Sequence, residues 1–164
     1  MSRLHSFSGA ALLTLTLLLS AALPSAAQAQ RVEWRGFAYL YDFTAACAAN
    51  GWVGRAQSNV RFRPSGLGSN GEISRLAFFD TFYAFGLALP GRRFDGRWRA
   101  VQADAIGSGA FPWPDVQMRI RSQSPNNNNL SETSPQVRIV GQIRNFDEVA
   151  GCTATFDATM ILRR

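Results

Sequence analysis

The stretch CTATFDATMIL, residues 152–162, alternates apolar and polar side chains along most of its length. A period of two predicts a β-strand with one buried face. Similar alternation recurs at 32–41, 52–63, 97–106, 116–121 and 137–144. The chain shows no convincing amphipathic helix, so the pattern favours an all-β fold.

The number of predicted strands limits the architecture to two alternatives. Seven or eight antiparallel strands in one domain predict either a β-barrel of about eight strands or a β-sandwich. An eight-stranded barrel requires residues 73–94 to supply two strands. Composition marks no turn near Asp80-Thr81, so this division is the least certain part of the prediction.

The two cysteines favour a fold in which the first and last strands are neighbours. Cys47 follows the first strand and Cys152 begins the last. In an up-and-down barrel with an even number of strands, these strand ends meet at one rim. A disulfide there would close a loop of 105 residues, and it would stabilise the fold by about 4–5 kcal/mol. A sandwich with the two strands adjacent fits the cysteines equally well.

The N-terminus has the pattern of a cleaved secretory signal peptide, residues 1–29, followed by an all-β domain, residues 30–164. Arg3 precedes an apolar run, and Ala27-Gln28-Ala29 fits the small-x-small cleavage pattern. The apolar run is too short to span a bilayer. We therefore expect a protein of the periplasm or the extracellular space that does not span a membrane, in a compartment where a disulfide forms.

Composition excludes several kinds of catalysis. The single histidine, His5, leaves with the signal peptide, and the chain has no lysine. Ser-His-Asp and Cys-His sites, Schiff bases and P-loops are therefore excluded. Two cysteines without histidine are too few for a usual zinc site. We expect no enzyme activity, no metal and no cofactor; a carboxylate-dependent hydrolase using Asp80 and Asp104 is the enzymatic alternative.

All 17 basic residues are arginine, against 11 acidic residues. Guanidinium groups bind phosphates and carboxylates through paired hydrogen bonds, although a GC-rich genome also replaces lysine with arginine. The chain concentrates arginines and aromatics around Asp95-Gly96, a predicted hairpin turn. The candidate anion-binding residues are Arg92, Arg93, Arg97 and Arg99. A surface hairpin without function is the alternative interpretation.

The aromatic content suggests a second kind of site, a cavity for an apolar ligand inside a barrel. The candidate ligand-binding residues are Tyr39, Tyr41, Trp52, Phe79, Tyr83 and Trp113. Ordinary filling of the core is the alternative interpretation.

These observations predict a non-enzymatic binding protein for an apolar or anionic ligand, a lipid or a glycan. A periplasmic inhibitor or accessory protein that binds an acidic protein is the main alternative. The predicted compartment argues against nucleic acid as a partner.

Overall fold

β-Strands contain most of the residues that a computed structural model describes, which are 31–80, 84–90, 95–104, 115–126 and 128–163. The expected signal peptide, residues 1–29, lies outside the described residues. The helical segments are α1, Ala45–Ala48, and a 3-10 turn, Phe146–Glu148. The strands are β1 Glu33–Tyr41, β2 Ala56–Arg63, β3 Ile73–Phe79, β4 Ala84–Pro90, β5 Arg99–Ala100, β6 Gln102–Asp104, β7 Gln117–Ser124, β8 Gln136–Arg144 and β9 Thr153–Arg163.

The strands form a nearly closed antiparallel barrel. β5 and β6 are separated by Val101 alone; β6 pairs with β4 and β5 pairs with β7. Together they occupy one of eight strand positions, and each position neighbours the next in chain order. The first and last strands pair antiparallel over nine residues, from Glu33–Arg163 to Tyr41–Thr155. The structure therefore selects the barrel over the sandwich.

The segment 73–90 supplies two strands, as the eight-stranded barrel requires. β3 and β4 pair from Ile73–Pro90 to Phe79–Ala84, and the chain reverses between Phe79 and Ala84. Both strands direct apolar residues inward, including Leu76, Phe78 and Leu87.

Large side chains of the described residues occupy the inside of the barrel and the layer beneath its rim. Phe78 and Phe156 meet edge to face, with ring centroids 4.8 Å apart. An eight-stranded barrel is just wide enough for side chains to fill its interior. The largest fully buried side chains are Trp34, Phe62, Phe78, Phe146, Phe156, Leu40, Leu76, Met118, Ile139, Ile143, Met160 and Val60.

One glycine allows the packing of an interior ring directly against the sheet. Gly141 of β8 pairs with Phe156 of β9. A Cβ atom at Gly141 would lie 2.5 Å from the Phe156 ring and 2.3 Å from the Arg119 carbonyl oxygen. The ring occupies the space that any side chain at position 141 would need.

The predicted disulfide joins Cys47 of α1 to Cys152, directly before β9. Hydrogen bonds reinforce this rim: the Thr44 hydroxyl donates to the Gly151 carbonyl and accepts from the Thr153 N–H, both at 3.0 Å. The covalent link thus ties the end of β1 to the start of β9, as the sequence predicted.

Candidate binding face

The outer surface of β8, β9, β1 and β2 carries a depression of about 500 Å³. In the register, Tyr39 lies opposite Asp157 on β9 and Gln57 on β2. Cross-strand neighbours on one face of a sheet are close enough for their side chains to interact. We call the lining residues the aromatic depression: Phe37, Tyr39, Gln57, Arg138, Asp157 and Thr159.

Two aromatic side chains of the depression are open to solvent. Phe37 is 54 % exposed and Tyr39 is 46 % exposed. Their positions on β1 alternate with the buried Ala38 and Leu40, so both rings point away from the core. Adjacent exposed apolar groups with a polar rim are typical of interaction surfaces.

Arginines lie over the aromatic rings of this face. The Arg55 guanidinium is 5.1 Å from the Tyr39 ring centroid, and that of Arg61 is 5.9 Å from the Phe79 ring centroid. Cation–π attraction at exposed sites is modest, about 0.5–1 kcal/mol. The two arginines place positive charge beside the aromatic rings of this face.

Arg138 and Asp157 form a two-pronged ion pair at the edge of the depression. Arg138 Nε donates to Asp157 Oδ1 at 2.9 Å, and Nη2 donates to Oδ2 at 2.5 Å. These hydrogen bonds lower the pKa of Asp157, although partial burial acts in the opposite direction. The pair stays ionised at neutral pH and offers both donors and acceptors to a ligand.

A cluster of arginines surrounds Glu33 farther along the same face. Glu33 is buried and accepts hydrogen bonds from Arg35 and Arg63. Arg61 lies 3.9 Å from the same carboxylate. Burial raises the pKa of Glu33, but the hydrogen bonds from the two arginines outweigh it, and the pKa is lowered overall.

Two further arginines extend this cluster across the sheet. Arg163 of β9 lies opposite Glu33, and Arg75 of β3 lies opposite Arg63. Both are exposed, and neither forms an ion pair with an acidic residue that the structure describes. We call this group the arginine row: Arg35, Arg61, Arg63, Arg75 and Arg163, with Glu33 among them.

Those aromatic residues predicted to line an interior cavity that the structure describes lie elsewhere. Tyr39, Tyr41 and Phe79 lie on the outer face, because the alternating inward positions hold residues such as Leu40 and Phe78. Trp52 packs at the rim against Phe43 and Phe146 and donates a hydrogen bond to Asp147. Tyr83 and Trp113 lie outside the described residues.

The predicted anion-binding hairpin is described only in part. Arg92 and Arg93 lie outside the described residues. Arg99 pairs with Asp95 at 2.5 Å, and Arg97 lies 3.9 Å from the same carboxylate. One acidic residue therefore partly neutralises these two arginines. A role for them in anion binding stays a prediction.

The two carboxylates of the hydrolase alternative belong to the same rim. Asp80 follows β3 directly, and Asp104 is the last residue of β6. Phe79, which precedes Asp80, pairs with Ala84, and Ala84 pairs with Asp104. The backbones of Asp80 and Asp104 are therefore about two strand spacings apart, roughly 10 Å. The hydrolase remains a hypothesis.

Several residues of the face were not singled out from the sequence: Phe37, Gln57, Arg138, Asp157 and Thr159. A large aromatic at an outward position of an alternating strand, as at Phe37, is the signal that could have identified the face. The Arg138–Asp157 pair gives no local signal, because it joins residues 19 positions apart.

The described residues contain no group of three or more histidine, cysteine, aspartate or glutamate side chains that could hold a metal ion. No helix in this part of the chain is long and apolar enough to cross a membrane. No protein-family model, curated protein or solved structure matches the chain.

Proposed function

We propose that the protein is a non-enzymatic binding protein of the periplasm or extracellular space that binds an anionic glycan on its outer face. The observation that carries this proposal is the pair of half-exposed rings, Phe37 and Tyr39, beside hydrogen-bonding and arginine side chains. Covering the exposed part of each ring would contribute about 1 kcal/mol.

A glycan suits this surface because a sugar has both apolar and hydroxyl-bearing faces. Its apolar face would stack on Phe37 or Tyr39. Its hydroxyls would exchange hydrogen bonds with Gln57, Thr159 and the Arg138–Asp157 pair. Each polar group of the depression then keeps a partner, which matters because unpaired buried polar groups are costly.

An apolar lipid suits the surface less well. The described interior is occupied by side chains such as Phe62, Phe78 and Phe156, so an acyl chain would have to lie outside the barrel. There it would cover the charged Arg138–Asp157 pair without providing hydrogen bonds, at a cost in desolvation.

An acidic protein is the second candidate partner, and one observation favours it. Exposed aromatic residues next to arginines are enriched at the centres of protein interfaces. This possibility keeps the inhibitor or accessory-protein alternative open, and the experiment below distinguishes it.

The test is calorimetric titration of acidic and neutral oligosaccharides, and of acidic proteins, into the purified protein. F37T/Y39T removes both rings but keeps residues that suit a strand. V53T is the matched control, because Val53 is 68 % exposed and lies outside the face.

We expect a saturable oligosaccharide complex that F37T/Y39T weakens at least tenfold and V53T leaves unchanged. The oligosaccharide should be recovered with its mass unchanged. Equal affinity of wild type and F37T/Y39T would place binding elsewhere. Tight binding of an acidic protein without glycan binding, or turnover of the glycan, would replace the proposal with one of the alternatives.

A further inference from the structure

We infer that the ligand is a linear acidic polysaccharide, with its anionic groups on the arginine row and its sugar rings on the aromatic depression. This inference rests on the proposed function, and it adds that the glycan is a linear polymer that contacts both the arginine row and the aromatic depression.

The first argument is the continuity of the two features on one face. Phe37 and Tyr39 follow Glu33 and Arg35 at successive outward positions of β1. Phe37 lies four positions after Glu33 in the strand, which places their Cα atoms about 14 Å apart. The row itself crosses from β9 to β3, three strand spacings or about 14 Å. One carboxylate or phosphate cannot cover the full extent of both features, whereas a chain of several sugars can.

The second argument is the excess of positive charge in the row. Five arginines surround one carboxylate, Glu33. Two pairs of arginines lie directly opposite each other, Arg35 with Arg61 and Arg63 with Arg75. Like charges in such positions are unfavourable. An anionic ligand would relieve this repulsion, so its binding gains energy that a neutral ligand cannot.

The third argument is the role of Glu33. Its carboxylate is buried and hydrogen-bonded to Arg35 and Arg63. It therefore fixes the two guanidinium groups at the surface while neutralising only one charge. Arginines held in place lose less conformational entropy when a ligand binds. Arg75 and Arg163, at the two ends of the row, remain exposed to meet further anionic groups.

Other occupants fit the row less well. A second copy of the chain would bring together two surfaces of the same charge. An acidic protein would have to bury several Asp or Glu side chains against the row, and these two residue types are depleted at the core of interfaces. A membrane would have to cover the Asp157 carboxylate together with the rings. A solvated polymer with one anionic group on each sugar avoids these costs.

The experiment titrates oligogalacturonates of increasing length and their methyl-esterified neutral forms into wild type, F37T/Y39T and two charge-matched arginine variants. Vesicles of anionic phospholipid and an acidic protein are titrated into wild type for comparison. R75Q/R163Q removes the exposed ends of the row. R119Q/R121Q removes the same charge from two arginines of β7, which lies outside the row and the aromatic depression. Thermal unfolding confirms that each variant folds.

We expect affinity to rise with length until the oligomer spans both features, and to fall on methyl esterification. R75Q/R163Q should bind the long acidic oligomer roughly five- to thirtyfold more weakly at low salt, with a shallower salt dependence. R119Q/R121Q should stay within about twofold of wild type.

Three outcomes would overturn the inference. Equal binding of acidic and esterified oligomers, still dependent on Phe37 and Tyr39, would leave the proposed function standing without the charged ligand. An equal loss in both arginine variants would show general attraction rather than a site. Tighter binding of vesicles of anionic phospholipid, or of an acidic protein, would change the class of partner. Acidic oligomer binding that F37T/Y39T leaves unchanged would instead contradict the proposed function.

Discussion

Replacing both cysteines with alanine, as C47A/C152A, is expected to lower the free energy of unfolding by about 4.7 kcal/mol. The disulfide joins residues 105 positions apart, so its removal frees a long loop in the unfolded chain. The native barrel should persist. β1 and β9 still pair over nine residues, and the Thr44 hydroxyl still bonds to Gly151 and Thr153 at the rim. The effect should therefore lie mainly in the unfolded state.

Urea titration followed by tryptophan fluorescence measures this loss, because Trp34 is fully buried in the barrel. Removing the cross-link should also increase the denaturant slope, since the unfolded chain becomes less compact. The thermal midpoint should fall by roughly 15 °C. Wild type treated with a reductant is the control, and it should match C47A/C152A.

A loss below about 1.5 kcal/mol would refute the reasoning from loop entropy. It would mean that the unfolded chain keeps its ends close without the disulfide. Loss of the β-sheet circular dichroism in C47A/C152A would refute the other premise, that strand pairing maintains the barrel without the covalent link.

Two further substitutions test the packing and the charges. G141A should destabilise the barrel by about 1–3 kcal/mol, because its Cβ would lie 2.5 Å from the Phe156 ring. G86A is the control, since its nearest neighbour is at 3.6 Å, and chemical denaturation should show a change below about 0.5 kcal/mol. E33Q should cost about 1–2 kcal/mol at pH 7. The lowered pKa of Glu33 means that its stabilisation is present above the unfolded value near 4.3 and is lost as pH falls through the folded pKa. The difference between wild type and E33Q should therefore disappear in strong acid; a constant difference would contradict the ion-pair explanation.

Much of the fold could be predicted from local pattern. The alternation at 152–162 and the positions of Cys47 and Cys152 were enough to place the last strand beside the first. The β3–β4 turn could not be predicted, because residues 80–83 contain neither glycine nor proline. The bulge between Ile120 and Ser122 could not be predicted either. A bulge inserts one residue into a strand and changes the face of every residue after it, so the alternating pattern ends there.

The candidate site could be predicted only in part, for a different reason. Tyr39 and Tyr41 were chosen by residue type, yet alternation already placed them opposite the inward Trp34 and Leu40. A ring lines the interior only if its position in the strand points inward, whatever its aromatic character. The arginine row depends on the register of four strands, as the pairing of Arg63 with Arg75 shows. Local sequence patterns do not determine that register.

The size of the barrel favours the outer face over the interior for the proposed binding. Eight strands leave an interior that side chains can fill, and residues such as Phe62, Phe78 and Phe156 occupy the part of it that the structure describes. An outward residue such as Phe37 can change without creating a cavity, so the outer face is free to be specialised for a partner. Arginines opposite arginines are costly to folding alone, and nothing in the packed core requires them. Their presence beside two open aromatic rings supports the proposed anionic partner, which would supply the missing negative charge.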